Sequence, residues 1–177
     1  ACARGIIMLY KHINGLLDLM LAGGVSCAED NDLTSRAGPD EDLIGDTMHT
    51  KSTGRIFVEV AGAEGRGVPL CVGSKRHGDT ALQTHESELA TLATYMRNEV
   101  LPLQALWQRL LLRPVDVVVR DDNTAAIAII KKGYSPSLRC LPRTHRTSIG
   151  VTHETFHEPA PPGHGKCELI YIESAKH

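Results

Sequence analysis

Three groups of acids stand at intervals along the chain: Asp40, Asp42 and Asp46 in PDEDLIGD, Glu86 and Glu88 in THESEL, and Asp121 and Asp122 in VVVRDDN. Hard divalent ions such as magnesium need several oxygen ligands, and carboxylates brought from separate elements can assemble two such ions on a phosphodiester. Taken singly, each group has a plainer explanation. Acids at a helix start favour the helix dipole, and Asp122 or Asn123 can cap a helix by accepting from first-turn amides.

A second constellation is His153-Glu154-Thr155-Phe156-His157. On a helix, H-E-x-x-H places two imidazoles on one face for zinc, with the glutamate as general base of a metalloprotease. Its surroundings argue against that use: Pro159 stops the helix, and His164 falls one residue late for the common third ligand. A structural zinc through Cys140, His145, His153, His157 or Cys167 fits no common finger spacing. Exposed histidines on a polar helix face are the simpler reading. Basic residues cluster at Lys75-Arg76-His77, at Lys131-Lys132 and at Arg139, Arg143 and Arg146. Such clusters can hold a nucleic-acid backbone without reading its sequence, although Lys131 and Lys132 equally suit a helix carboxyl end.

The elements that must position these groups follow from periodicity. Val115, Val117, Val118 and Val119 predict a strand, and Thr124 to Ile130 a buried helix stopped by Gly133, so Asp121, Asp122 and Asn123 fall where a strand ends and a helix begins. In open α/β sheets, ligands collect there. Thr53 to Ala63 and the stretch from Val68 predict an antiparallel hairpin around GAEGRG. Thr84 opens a helix carrying Leu89, Leu92 and Met96, and a second apolar helical stretch runs from Pro102 to the Arg113-Pro114 stop. Arg143 to Phe156 reads as a weakly amphipathic helix and Cys167 to Ile172 as a last strand. Gly23 to Asp46, dense in Gly, Asp, Asn and Ser, is the least structured stretch on composition. Ile6 to Leu21 suggests a helix, a turn and an extended segment. The order implies a mixed sheet covered by helices.

At 177 residues the chain has room for one domain with a real core, or one domain and an appendage. A formal charge of −2 means that nucleic-acid contact would need a local basic patch. Five cysteines without close pairing favour reduced thiols and an intracellular setting. Gly5 to Val25 carries Lys11, His12, Asn14 and Asp18, so no membrane span is expected there.

From about Ile7 to Tyr171 the chain resembles the ribonuclease H region that ends the polyprotein of copia-type LTR retrotransposons. The D-x-D-x-x-G-D and K-S-T motifs of that family are met by Asp40 to Asp46 and Lys51-Ser52-Thr53. Its S-K-K and A-L-S-S-T-E-A-E-Y blocks are similar to Ser74-Lys75-Arg76 and Ala81 to Leu89. Trp107 with Arg109-Leu110-Leu111 comes next, then Asp121-Asp122-Asn123 to Ile127 for C-D-N-Q-S-A-I, and Arg143 to Ser148 for R-T-K-H-I-D. The resemblance implies the tail of a preceding connection segment over residues 1–30. Over 31–177 it implies an α/β, ribonuclease H-like mixed sheet flanked by helices.

It further implies catalytic metal ligands at Asp40, Glu88 and Asp122, a magnesium or manganese cofactor, and hydrolysis of RNA in an RNA–DNA hybrid. Hybrid contacts would come from Lys75, Arg76, Asn123, Arg143 and Arg146. Two departures point toward weak or lost activity: the fourth acid of the family falls on Ser148, and Gly38-Pro39 erode the first strand. The rival reading is a non-catalytic, nucleic-acid-binding or structural subunit of a larger assembly.

Overall fold

The computed structural model describes residues 33–46, 51–62, 67–76 and 83–173, with backbone alone at 42–46 and 51. The expected segments at 1–30 and the GAEGRG turn at 62–67 lie wholly or largely outside these residues. Among the described residues, five strands form one mixed sheet in the order β3-β2-β1-β4-β5. They are β1 (Thr34–Asp46), β2 (Lys51–Ala61), β3 (Gly67–Arg76), β4 (Asp116–Asp121) and β5 (Cys167–Tyr171). The hairpin β2–β3 is antiparallel, β1 pairs antiparallel to β2, and β4 and β5 extend the sheet in parallel.

The stretch expected to be irregular is in fact the central strand. Along β1, Leu33, Ser35, Ala37 and Pro39 are buried and alternate with Thr34, Arg36, Gly38 and Asp40, which are partly exposed. Pairing on both sides overrides weak local propensity. The proline is tolerated because the ladder to β4 runs only from Thr34↔Asp116 to Ala37↔Val119. Beyond it, that side of β1 is an edge, where a missing N–H breaks no ladder bond.

One face of the sheet is covered. Helix α1 (Thr84–Tyr95) continues through a π turn (Met96–Val100) into α2 (Leu101–Leu111), which carries Pro102 in its first turn. A π turn releases backbone groups at the point where the proline cannot donate. Helix α3 (Thr124–Lys132) follows β4 and stops at Gly133, whose φ of +76° lets its N–H reach the carbonyls of Ile129 and Ile130. Ala37, Ile56, Val58, Leu89, Leu92, Val117, Val119, Ala126 and Ile130 form the core between helices and sheet. On the other face Phe57 and Val72 are exposed.

The single helix expected over Arg143 to Phe156 is two. A short α4 (Leu141–Thr144) and α5 (Ile149–His157) are separated by Arg146, whose φ of +52° cannot continue a helix. Ser148 then restarts it as an N-cap, its Oγ accepting from the Val151 N–H at 3.4 Å. Buried Gln104 ties the far end of the sheet, donating from Nε2 to the carbonyls of Val115 (2.8 Å) and Gly165 (3.2 Å). Gly165 is required there, since a Cβ would run into the Val115 carbonyl. Among the described residues, no helix is long and apolar enough to cross a membrane.

Candidate active site

Glu88 lies on the first turns of α1, on the face turned to the sheet, and is only 6% exposed. Burial pushes its carboxyl up to about 8 from an ordinary 4.5, and the charges of Asp121, Glu41, Asp40 and Asp122 add to the effect in that order. Glu88 is therefore the centre of an acidic cluster drawn from β1, α1 and the end of β4.

Which acid of each doublet faces inward is decided by strand parity. Asp121 continues the buried row of Val117 and Val119 and is 1% exposed. Its Oδ1 accepts from the Asn123 N–H at 2.7 Å. Asp122, one residue on, is only partly buried. Asn123 caps α3, its Oδ1 accepting from the Ala126 N–H at 3.0 Å, so the capping role belongs to it and not to Asp122. On β1, Glu41 continues the inward row of Ala37 and Pro39 and accepts a hydrogen bond from the Ser87 hydroxyl. Its second oxygen is buried without a hydrogen-bond partner among the described residues.

Asp40 points the other way. It is half-exposed on the outer face, 3.8 Å from Arg55, its partner across the β1–β2 ladder. Of the acids expected as ligands, Glu88 thus sits centrally, Asp122 lies beside the cluster, and Asp40 acts on it only through the sheet. Asp121 stood in the third acid group without being expected as a ligand, and Glu41 was not singled out. The signal was available: counting by twos from Ala37 and from Val119 reaches both.

Glu86 is also buried on α1, and the His145 Nε2 lies 3.5 Å from its carboxylate, bringing the loop after α4 against the start of α1. Ser148, where a fourth acid was looked for, is committed to capping α5. Of the expected phosphate-binding residues, Lys75 and Arg76 are exposed at the end of β3, and Arg143 is exposed on α4. Arg146 lines a cavity of about 250 Å³ with Arg97, Thr94, Ser148 and Thr155, between the π turn and the start of α5.

His153 and His157 stack, with ring centroids 4.5 Å apart. Each turns Nδ1 to a backbone carbonyl, that of Ile130 at 2.8 Å and that of His153 at 3.1 Å. The zinc constellations gain no third ligand among the described residues. At Cys167, burial pushes the thiol up to about 11, which disfavours the thiolate a metal would need.

The cluster fits a hard divalent ion in the chemistry of its donors. It offers carboxylate oxygens from three elements, one of them, at Glu41, buried without a hydrogen-bond partner among the described residues, around a glutamate that burial first and the neighbouring acids second keep protonated near neutrality. As they stand, no three His, Cys, Asp or Glu side chains among the described residues are close enough to hold one ion.

No protein-family model and no curated protein matches the sequence. Among solved structures, the chain is similar to the ribonuclease H1 of the halophilic archaeon Halobacterium salinarum, with 11% identity over 81% of this chain and 88% of that one and a TM-score of 0.48. It is similar at 16% identity to LC11-RNase H1 isolated from compost, over 81% and 86% of the two chains, with a TM-score of 0.49. An N-terminal RNase H domain from Mycobacterium tuberculosis matches at 12% identity, over 81% and 85%, with a TM-score of 0.47.

Proposed function

We propose that the chain is a ribonuclease H-like nuclease of copia-type retrotransposon origin that hydrolyses the RNA strand of an RNA–DNA hybrid slowly, with magnesium or manganese. The observation that carries this reading is the burial of Glu88 within the field of Asp121, Glu41, Asp40 and Asp122, beside the carboxyl end of β4. Its support in the sequence is the ordered series of motif blocks from Asp40 to Ser148.

Glu41, Glu88 and Asp121 would hold the metal, with Asp122 at the rim. A divalent ion there polarises the scissile phosphodiester and lowers the pKa of an attacking water. The chain supplies the rest. Ser87 orients the Glu41 carboxylate, and the Asn123 amide fixes Asp121 at the strand end. Glu88 holds a proton near neutrality in the buried cluster, and would have to release it to ligate a cation. Arg146 and Arg97 offer guanidinium groups to backbone phosphates on the flank, where sequence need not be read.

A non-catalytic hybrid-binding subunit is the second reading, favoured by the outward pairing of Asp40 with Arg55 and by the commitment of Ser148 to a helix cap. Incubating the chain with a labelled RNA–DNA hybrid and magnesium or manganese separates the two. Slow cleavage that Glu88→Gln abolishes supports the nuclease; hybrid binding without any cleavage supports the second reading.

A further inference from the structure

The outer face of the sheet carries a notch that the proposed chemistry does not use. In the β1–β2 ladder Gly38 is paired with Phe57 and Arg36 with Glu59, while across the β1–β4 ladder Arg36 faces Val118. Arg120 is the next outward residue of β4 after Val118. Gly38, lacking a side chain, therefore leaves a gap in the row between the Phe57 ring and the Arg120 guanidinium. Ile172 closes one end, its N–H held by the Asp121 carbonyl at 3.1 Å. The resulting cavity measures about 470 Å³ and is lined by Arg36, Gly38, Phe57, Glu59, Arg120 and Ile172. That is the size of a small-molecule site.

The charges around it are unequally satisfied. Arg36 is paired with Glu59 at 3.6 Å, and Arg55, in the row beyond Gly38, with Asp40 at 3.8 Å. The Nε of Arg120 is buried and has no acceptor among the described residues. A buried donor left unsatisfied is costly, and Arg120, which carries this one, also lines the open cavity. Facing it, Phe57 is 43% exposed although it stands mid-strand in β2. A cavity-lining guanidinium whose Nε lacks an acceptor among the described residues, and an exposed aromatic ring across a glycine gap, ask for one kind of molecule.

From this juxtaposition we infer that the Gly38 notch binds a small planar ring bearing an anionic group, the ring against Phe57 and the anion on Arg120. The anion can be a carboxylate or a phosphate, because a guanidinium presents the same fork to both. The site lies on the face opposite the acidic cluster and stands independently of the nuclease reading.

The test titrates the full chain with 1-naphthoate and with adenosine monophosphate, followed by amide and arginine Nε NMR shifts. Their uncharged counterparts, 1-naphthalenemethanol and adenosine, serve as controls. At least one anion should saturate with a midpoint below about 1 mM, shifting Gly38, Phe57, Arg120 and Ile172, and its uncharged counterpart should bind at least tenfold more weakly. The tighter anion tells a carboxylate head from a phosphate head. Arg120→Gln should weaken binding at least tenfold, and Gly38→Val should abolish it by filling the gap. If a variant does not fold, the comparison of charged and uncharged ligands on the parent chain still decides. The inference is overturned if neither anion shifts these residues, if the uncharged partner binds as well, or if folded Arg120→Gln binds unchanged.

Discussion

Replacing Glu88 by Gln should stabilise the metal-free protein, and by more as the pH rises. The folded protein holds this carboxyl at about 8 against 4.5 in the ordinary, unfolded environment. Below 4.5 both states carry the proton and the side chain contributes no pH dependence. Between 4.5 and 8 the folded state keeps a proton that the unfolded state has lost, so wild-type stability falls with rising pH through that window and levels above it. The full interval would correspond to about 5 kcal/mol at roughly 1.4 kcal/mol per pH unit. Water at the rim, where Asp122 is only partly buried, screens the cluster, and about 2 kcal/mol is the expected size. Glutamine has nearly the same shape and no charge, so it escapes this loss. Urea unfolding in EDTA at pH 4, 6 and 8.5 should show the two proteins close at pH 4, with the variant's advantage growing to its full value at 8.5. Magnesium at ten times its dissociation constant should then return about 1.4 kcal/mol to the wild type alone. A variant advantage that is constant or shrinks from pH 4 to 8.5 would refute the acidic cluster as described.

Asp121→Asn and Glu41→Gln should each reduce hybrid cleavage at least a hundredfold, on the scale of losing a metal-orienting group, while Asp40→Asn should cost less than tenfold; equal losses would show that the outward placement of Asp40 does not hold during turnover. Ser148→Asp should leave urea stability within about 0.5 kcal/mol, since Asp caps a helix as well as Ser does, and should lower the magnesium needed for half-maximal cleavage. Gln104→Leu should destabilise the fold by about 1–3 kcal/mol, because it leaves the buried carbonyls of Val115 and Gly165 without their donor; a smaller change in urea midpoint would mean that other donors reach them.

The elements that could be read from the sequence were those whose own pattern is strong. The valines before Asp121, the β-branched alternation from Ile56 to Val60 and the breakers at Gly133 and Pro114 gave β4, the hairpin and the limits of the helices around β4. β1 was hidden, because Gly38, Pro39 and neighbouring acids are poor in local preference and the strand is held by partners distant in sequence. The break at Arg146 was hidden for another reason: a left-handed arginine stands between α4 and α5, next to the His145 that reaches Glu86 on α1, and composition gives no sign of it. At the site, residue types and their grouping located the acids. The choice between adjacent acids turned on which row of a strand faces the helices, and that needed a strand, β1, whose existence composition argued against.

The two partners of β1 differ in how far away they lie along the chain. Its antiparallel neighbour β2 begins five residues after it ends, whereas β4, its parallel neighbour, begins seventy residues after it ends. Closing that second ladder costs more loop entropy, so β1, β2 and β3 can order as a local meander well before β4 joins them. Glu41 arrives with the meander and Asp121 only with β4. The acidic cluster is thus assembled at the last and least local seam of the sheet, and a modest weakening of that seam would dissolve the site while leaving most of the strands in place. Slow amide hydrogen exchange along β4 should report on whether the site exists at all.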